Sequence, residues 1–230
     1  MSRLKDKIAV ITGAGTGIGR AIALAFAHEG AKIALVGRRK ELLQAVAEEA
    51  GGSPLVRAGD VSQQRDIDRI LAATAAHFGG VNVLVNNAGI LHIGTAEEIT
   101  EEQWDETFNI NVRGLWLLSR SVLPYMRKVG GGSIINVASV LGINGARKRA
   151  AYAPSKGAVV LLTKCMAVDY GHENIRVNAL CPSFVETDLT AEVIRRAPDP
   201  QAVRAERISV HPRSLGPTGR HGRPGGLSRE

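Results

Sequence analysis

Lys7-Ile-Ala-Val-Ile-Thr-Gly-Ala-Gly-Thr-Gly-Ile-Gly19 decides the fold. Its first half is a short apolar, β-branched run, as expected of a strand buried on both faces. Its second half puts glycine at 13, 15, 17 and 19, where that strand must turn into a helix. Such a turn needs unusual backbone angles, and missing side chains let an anionic group approach the free amides of a helix N-terminus. A helical pattern follows over 17–29.

The alternation repeats outward from this stretch. Residues 31–36, 54–58, 82–85, 133–137 and 175–179 read as further strands, with helices over 40–50, 62–78, 101–128 and 152–170. Ser62 is suited to cap its helix, and Pro124 is expected to bend or interrupt the end of the long one. Strands alternating with crossover helices specify an α/β fold, a doubly wound, Rossmann-like parallel sheet with helices on both faces. After Leu189 the pattern fails, and 211–230 is rich in Gly, Pro, Arg and Ser without a usable period. The expected organisation is a nucleotide-binding and catalytic domain over 1–194 and an irregular basic tail over 195–230.

Composition narrows the function. A chain of 230 residues that is 44% hydrophobic and 4% aromatic suits one aliphatic-cored α/β domain. The net charge of +7 sits mostly in the tail, where residues 195–230 hold eight arginines against three acids and leave +2 for the rest. With no basic face on the domain and no aromatics in the tail, nucleic-acid binding is excluded as the main role. No apolar run approaches membrane-spanning length and no signal core precedes the first strand, so a soluble cytoplasmic protein without a membrane partner is expected. Cys165 and Cys181 have neither metal-ligand spacing nor nearby His and are expected to be buried hydrophobes; no metal is expected.

The chemistry is carried by Tyr152-Ala-Pro-Ser-Lys156, with Ser139 thirteen positions upstream. A phenol and an ammonium four apart on a helix face each other. An unperturbed tyrosine pKa of about 10 is too high for an efficient base near neutrality, and a neighbouring cation favours the phenolate.

The pattern Thr12-Gly-Ala-Gly-Thr-Gly-Ile-Gly19 differs from the Gly-x-Gly-x-x-Gly dinucleotide fingerprint. It resembles the Thr-Gly-x-x-x-Gly-x-Gly turn of the short-chain dehydrogenase/reductase family, including 3-oxoacyl-(acyl-carrier-protein) reductase-like members. Asn86-Asn-Ala-Gly89, Asn111, Ser139, Tyr152 and Lys156 follow in the family's order and spacing, so the resemblance covers residues 5 to about 190. It implies an NAD(P)(H)-dependent oxidoreductase that interconverts a secondary alcohol and a ketone. Tyr152 would be the general acid/base, Lys156 would lower its pKa and bond the nicotinamide ribose, Ser139 would hold the substrate oxygen, and Asn111 would anchor a water-linked proton relay through Lys156.

The resemblance also implies a cofactor site. It takes in the turn (Gly13, Gly15, Thr16, Gly17, Ile18, Gly19), Asp60 and Val61 at the adenine, and Asn87, Ala88 and Gly89 beside the adenosine ribose, with Asn87 and Gly89 also buttressing the central strand. Pro182, Val185 and Thr187 would lie by the nicotinamide. NAD-type members carry Asp where this chain has Gly37, and the next residues are Arg38 and Arg39. A guanidinium fork suits a 2′-phosphate, which favours NADP(H) over NAD(H). Ser183 replaces the family's usual glycine and would be strained at φ > 0. Residues 91–99 and 140–151 would flank a small-molecule substrate. Of these, His92 reads as a surface loop residue, and Arg147, Lys148 and Arg149 read as a solvated loop that is able to attract an anion.

The family's long helices, here 101–128 and 152–170, imply a homodimer; a tetramer is doubtful because the last helix and seventh strand are expected to be missing. The Arg/Gly/Pro tail looks like an out-of-frame reading of a GC-rich message. The alternative to an active oxidoreductase is therefore a truncated, inactive chain retaining nucleotide binding.

Overall fold

The computed structural model describes residues 2–185 and 187–195. Six parallel strands, β1 (Ile8–Thr12), β2 (Lys32–Gly37), β3 (Leu55–Ala58), β4 (Val83–Asn86), β5 (Gly132–Val137) and β6 (Ile175–Leu180), form one sheet in the order β3-β2-β1-β4-β5-β6. The helices are α1 (Gly17–His28), α2 (Lys40–Ala50), α3 (Gln64–Phe78), α4 (Glu101–Phe108), α5 (Leu115–Lys128), α6 (Tyr152–Tyr170) and α7 (Asp188–Arg195). This is the doubly wound sheet that the sequence implies. The compact unit carrying the clefts described below runs to Thr190. The tail beyond 195, with the expected loss of a last helix and strand, lies outside the described residues.

Register explains why the central strand sequences are almost continuously apolar. Leu55, Ala34, Val10, Leu84, Ile134 and Val177 form one row across all six strands, and all point into the same core with Ile67, Leu71, Leu118 and Met126 from α3 and α5. Their neighbours Ala9, Ile11, Leu35 and Val85 point the other way, onto Ala23, Leu43 and Val46 of α1 and α2. With both faces covered, β1, β2 and β4 are apolar almost throughout, whereas β6 alternates buried Ile175 and Val177 with exposed Arg176 and Asn178; each fully buried Leu or Ile contributes about 2 kcal/mol.

Three local expectations need correcting. Ser62 does not cap α3, which starts at Gln64 with Gln63 at the N-cap; its hydroxyl instead accepts from Gln63 Nε2 at 3.2 Å. Pro124 does not interrupt the helix, because α5 continues past it to Lys128 and gives up only the one bond that a proline cannot donate. The stretch 101–128 is broken instead at Asn109–Gly114, a π-helical turn between α4 and α5. In addition, α7 forms where the sequence pattern fails, from Asp188 to Arg195. No helix among the described residues is long and apolar enough to cross a membrane.

Candidate active site

The first of two adjoining clefts opens beyond the carboxyl ends of β1 to β4, where the strand order reverses. Gly13, Gly15, Thr16, Gly17 and Ile18 line it from the turn after β1, and Gly37, Arg38 and Arg39 from the end of β2. Asp60 and Val61, then Asn87, Ala88 and Gly89, close it, and Thr187 reaches it. Gly13 and Gly17 take φ of +61° and +53°, angles that side chains disfavour. Gly19 does not line the cleft. It is buried in α1, where a β-carbon would stand 2.2 Å from the Gly13 carbonyl oxygen and 2.4 Å from Asn87 Nδ2. Its lack of a side chain lets α1 start against the turn.

Thr12 ties the two central strands together at this end. Its hydroxyl donates to the Val85 carbonyl at 3.2 Å and accepts from the backbone amides of Asn87 at 2.9 Å and Ala88 at 3.0 Å. Asn87 Nδ2 returns to the Thr12 and Gly13 carbonyls at 3.0 and 3.3 Å. Asp60 borders the cleft while accepting from the Ser62 amide through Oδ1, and its own amide donates to Asp66 Oδ2, both at 2.8 Å.

The second cleft brings together Ser139, Tyr152, Lys156, Pro182, Ser183, Val185 and Thr187. Ile18, Asn87, Gly89, Thr187 and Leu189 line both clefts, so the two are continuous. Ser139 follows β5 and its Oγ accepts from the Leu141 amide at 3.1 Å. Tyr152 opens α6, and Lys156 lies one turn on, with Nζ 5.7 Å from the Tyr152 ring centroid. Ser183 is absent from the non-glycine residues with positive φ, so it carries no left-handed strain.

Asn111 sits in the π turn and lines neither cleft directly. Its Oδ1 accepts from the Ile90 amide at 2.8 Å, and its Nδ2 donates to the Ile90 carbonyl at 3.0 Å and to Ser155 Oγ at 3.1 Å. Ser155 Oγ in turn donates to the Tyr152 carbonyl at 2.7 Å. A β-carbon on Gly89 would stand 3.1 Å from Asn111 Oδ1 and 3.6 Å from Lys156 Nζ, so the bare glycine leaves the gap between these two groups.

The electrostatics differ from expectation. Lys156 is buried, its Nζ donates to the Val137 carbonyl at 2.8 Å, and burial pushes its ammonium down to about 8, partly opposed by Cys181. Burial pushes the Tyr152 phenol up, opposed first by its hydrogen bond with Ser139 and then by the Arg149 guanidinium. In the free chain burial of the phenol outweighs the groups that lower it.

Further departures concern the flanks. Cys165 is exposed and Cys181 half-buried, so neither is the buried hydrophobe expected. Apolar neighbours do not mark a buried position on this helix, because α6 also carries Leu161 and Val168 on its outer side, 63% and 83% exposed. Arg149 is buried rather than solvated. His92 is half-buried and its Nε2 meets Glu106 Oε2 at 2.9 Å. Leu42, Ile90 and Ile110 complete the apolar wall of the first cleft, and Thr190 lines the second; no motif marked them.

The fold and these clefts define an α/β protein with a glycine-walled cleft that opens into a Ser/Tyr/Lys cleft, and comparison with known proteins gives its family. The family model for short chain dehydrogenase matches residues 7–197. The chain belongs to the short-chain dehydrogenase/reductase family. It is 37% identical over 227 residues to the 3-oxoacyl-(acyl-carrier-protein) reductase FabG of Thermotoga maritima, covering 96% of this chain and 87% of that protein. It is 41% identical over 192 residues to the 2-(R)-hydroxypropyl-CoM dehydrogenase of Xanthobacter autotrophicus, covering 80% and 77%. Among solved structures, that of levodione reductase superposes with a TM-score of 0.86 at 35% identity, covering 90% of this chain and 84% of that one.

Proposed function

We propose that the chain is an NADP(H)-dependent reductase or dehydrogenase that interconverts a ketone and a secondary alcohol. The observation that carries this is the meeting of Ser139, Tyr152 and Lys156 in a cleft continuous with the glycine-walled one. The first cleft fits a dinucleotide. Its floor is bare backbone at Gly13 and Gly17, and the N-terminus of α1, which no side chain caps, lines it, which suits a pyrophosphate. Arg38 and Arg39 are exposed at its β2 end, and Asp60 is the only carboxylate among its described lining residues. That charge balance supports NADP(H) over NAD(H), with Asp60 and Val61 at the adenine, Asn87 to Gly89 along the ribose, and Pro182, Val185 and Thr187 by the nicotinamide.

When bound, the nicotinamide supplies or accepts the hydride. The protein's part is the proton and the oxygen. Ser139 Oγ holds the substrate oxygen against the charge that develops on it, and Tyr152 Oη donates its proton there in reduction or removes it in oxidation. Lys156 bonds the cofactor ribose and passes protons to solvent. The gap beside Gly89, between Asn111 Oδ1 and Lys156 Nζ, suits the water of that relay. Asn111 also positions Tyr152 through Ser155.

Names of relatives support a carbonyl or alcohol substrate: a 3-oxoacyl-(acyl-carrier-protein) for one and a 2-(R)-hydroxypropyl-CoM for another. The exposed Trp116 and Leu161, with Phe108, Val112 and Cys165, form an apolar surface on α4 to α6 that supports a homodimer. The test of the assignment is Tyr152→Phe. It abolishes NADPH oxidation with a ketone panel while NADPH still raises the melting temperature as it does for the wild type; substantial residual turnover overturns it.

A further inference from the structure

We propose that Asn136 and Thr163 are positioning residues for the reaction: the buried hydrogen bond between them fixes the rotation of α6 on β5 and so aims Tyr152 and Lys156 into the second cleft. The inference rests on the roles proposed for those two groups and adds what holds them in place.

The need for such a bond lies in α6. Its inner side buries Val159 and Met166, but Leu161 and Val168 are apolar too and stand outward. Apolar burial is non-directional, so a helix with apolar side chains on both sides is not held to one face by burial alone. A rotation by one residue, about 100°, would carry Lys156 away from the Val137 carbonyl that its Nζ bonds at 2.8 Å. Directed bonds have to choose the face. Lys156, Val159 and Thr163 follow one another at helical spacing along one stripe of α6, and all three are buried. Further down that stripe Thr163 Oγ1 accepts from Asn136 Nδ2 at 2.9 Å, and Asn136 immediately precedes Val137 in β5. The two contacts with β5 are about 10 Å apart along the helix, so together they fix both its rotation and its position on the strand.

The bond can run in only one direction. Thr163 gives its single hydroxyl proton to the Val159 carbonyl at 2.7 Å, which leaves its oxygen as an acceptor for Asn136. Asn136 must therefore turn Nδ2 towards α6 and Oδ1 towards β4, where its register partner Asn86 donates from Nδ2 at 2.9 Å. Asn86 Nδ2 also donates to Ser119 Oγ of α5 at 2.9 Å, and Asn86 Oδ1 ends the network without a partner among the described residues. All four side chains are buried. An orphaned acceptor in the core is a cost that apolar residues at these positions would not carry, so the network is explained by the geometry it selects rather than by stability. That geometry bears on the clefts, because β4 leads directly into Asn87 to Gly89 and β5 into Ser139.

The test uses the full chain and three variants. Thr163→Val keeps the shape and loses the acceptor, Thr163→Ser keeps the hydroxyl, and Ser119→Ala removes an equally buried bond of the same network while leaving Asn136 on Thr163. Lys156 is followed by the 13C resonance of its Cε between about pH 6 and 11, assigned by its loss in Lys156→Met. The expected titration lies near 8 in the wild type, Thr163→Ser and Ser119→Ala, and is displaced towards the ordinary 10.5 in Thr163→Val as water reaches the loosened ammonium. The kcat for ketone reduction falls about tenfold in Thr163→Val alone. An unchanged Lys156 titration in folded Thr163→Val overturns the proposal, and so does an equal displacement in Thr163→Ser or Ser119→Ala. Failure of Thr163→Val to fold while Thr163→Ser folds assigns the hydroxyl to the fold alone and overturns it too. A displaced titration with unchanged kcat in an active chain overturns the bearing of the bond on the reaction. A titration displaced in Thr163→Val alone supports the positioning of Lys156 even where the wild type turns over no ketone, an outcome that removes the proposed function instead.

Discussion

Replacing Lys156 with Met should stabilise the folded chain at pH 7 while removing a residue proposed for catalysis. Lys156 is 4% exposed, and burial lowers its ammonium from 10.5 to about 8. At about 1.4 kcal/mol per pH unit, carrying that charge costs the fold about 3 kcal/mol. Met keeps the apolar stem and removes the charge, but it leaves the Val137 carbonyl without its partner, a loss of about 1 kcal/mol. The net gain of about 2 kcal/mol corresponds to about 4–8 °C in a chain of this size.

The pH dependence isolates the cause. Below pH 8 Lys156 is protonated in both folded and unfolded chains, and the full penalty applies. Between 8 and 10.5 only the unfolded chain holds the proton, so wild-type stability gains on the variant as pH rises. The loss at Val137 does not titrate, so the two melting curves converge near pH 10. Thermal unfolding followed by circular dichroism from pH 7 to 10, at one protein concentration, reads this directly. A Met variant that is less stable at pH 7, or a difference that does not change with pH, refutes the reasoning.

Other perturbations test other links. Gly19→Ala drives a β-carbon onto the Gly13 carbonyl oxygen, so urea unfolding should show a loss of about 3 kcal/mol; unchanged stability would mean that α1 can retreat from the turn. At Gly37 a β-carbon meets only the Leu43 side chain, nearest at 3.4 Å to Cδ2, so Gly37→Asp should fold normally. Its kcat/KM for NADPH relative to NADH should fall about tenfold or more, and an unaltered ratio removes the basis for NADP(H). Leu161→Glu places a charge on the exposed face of α6 and should convert a dimer to a monomer in sedimentation equilibrium; a dimer that persists locates the interface elsewhere.

The doubly wound parallel sheet and the pairing of Tyr152 with Lys156 were legible because each depends on local pattern or fixed spacing, whereas Ser139 joined them through the family resemblance. Apolar runs reveal strands covered on both sides, and four residues always make about one helical turn. What escaped depends on partners distant in sequence. The π turn at Asn109–Gly114 is stabilised by Asn111 bonding Ile90 and Ser155, 21 and 44 residues away. Arg149 reads as one of three basic loop residues until Lys148 takes a left-handed angle and the chain meets Gly94. The exposure of Cys165 follows from α6 being apolar on its outer face as well as its inner one, so periodicity gave no side to choose. The direction of the Tyr152 shift needed depth of burial, which spacing does not encode.

The π turn also constrains how this chain can change length. A π turn holds one residue more than the α turn it replaces, so deleting any one position in 109–114 would let α4 and α5 join as a single regular helix. Because a π turn fits that residue into nearly the same rotation as an α turn one residue shorter, α4 and α5 would keep their faces, and Trp104 and Phe108 would stay stacked. The change would be local: the widened turn would close, and Asn111 would lose the bulged position from which it bonds Ile90 and Ser155. The additional residue therefore aims one side chain without disturbing either face of the helix, so a deletion here would separate the proposed relay from the exposed apolar surface and from the fold.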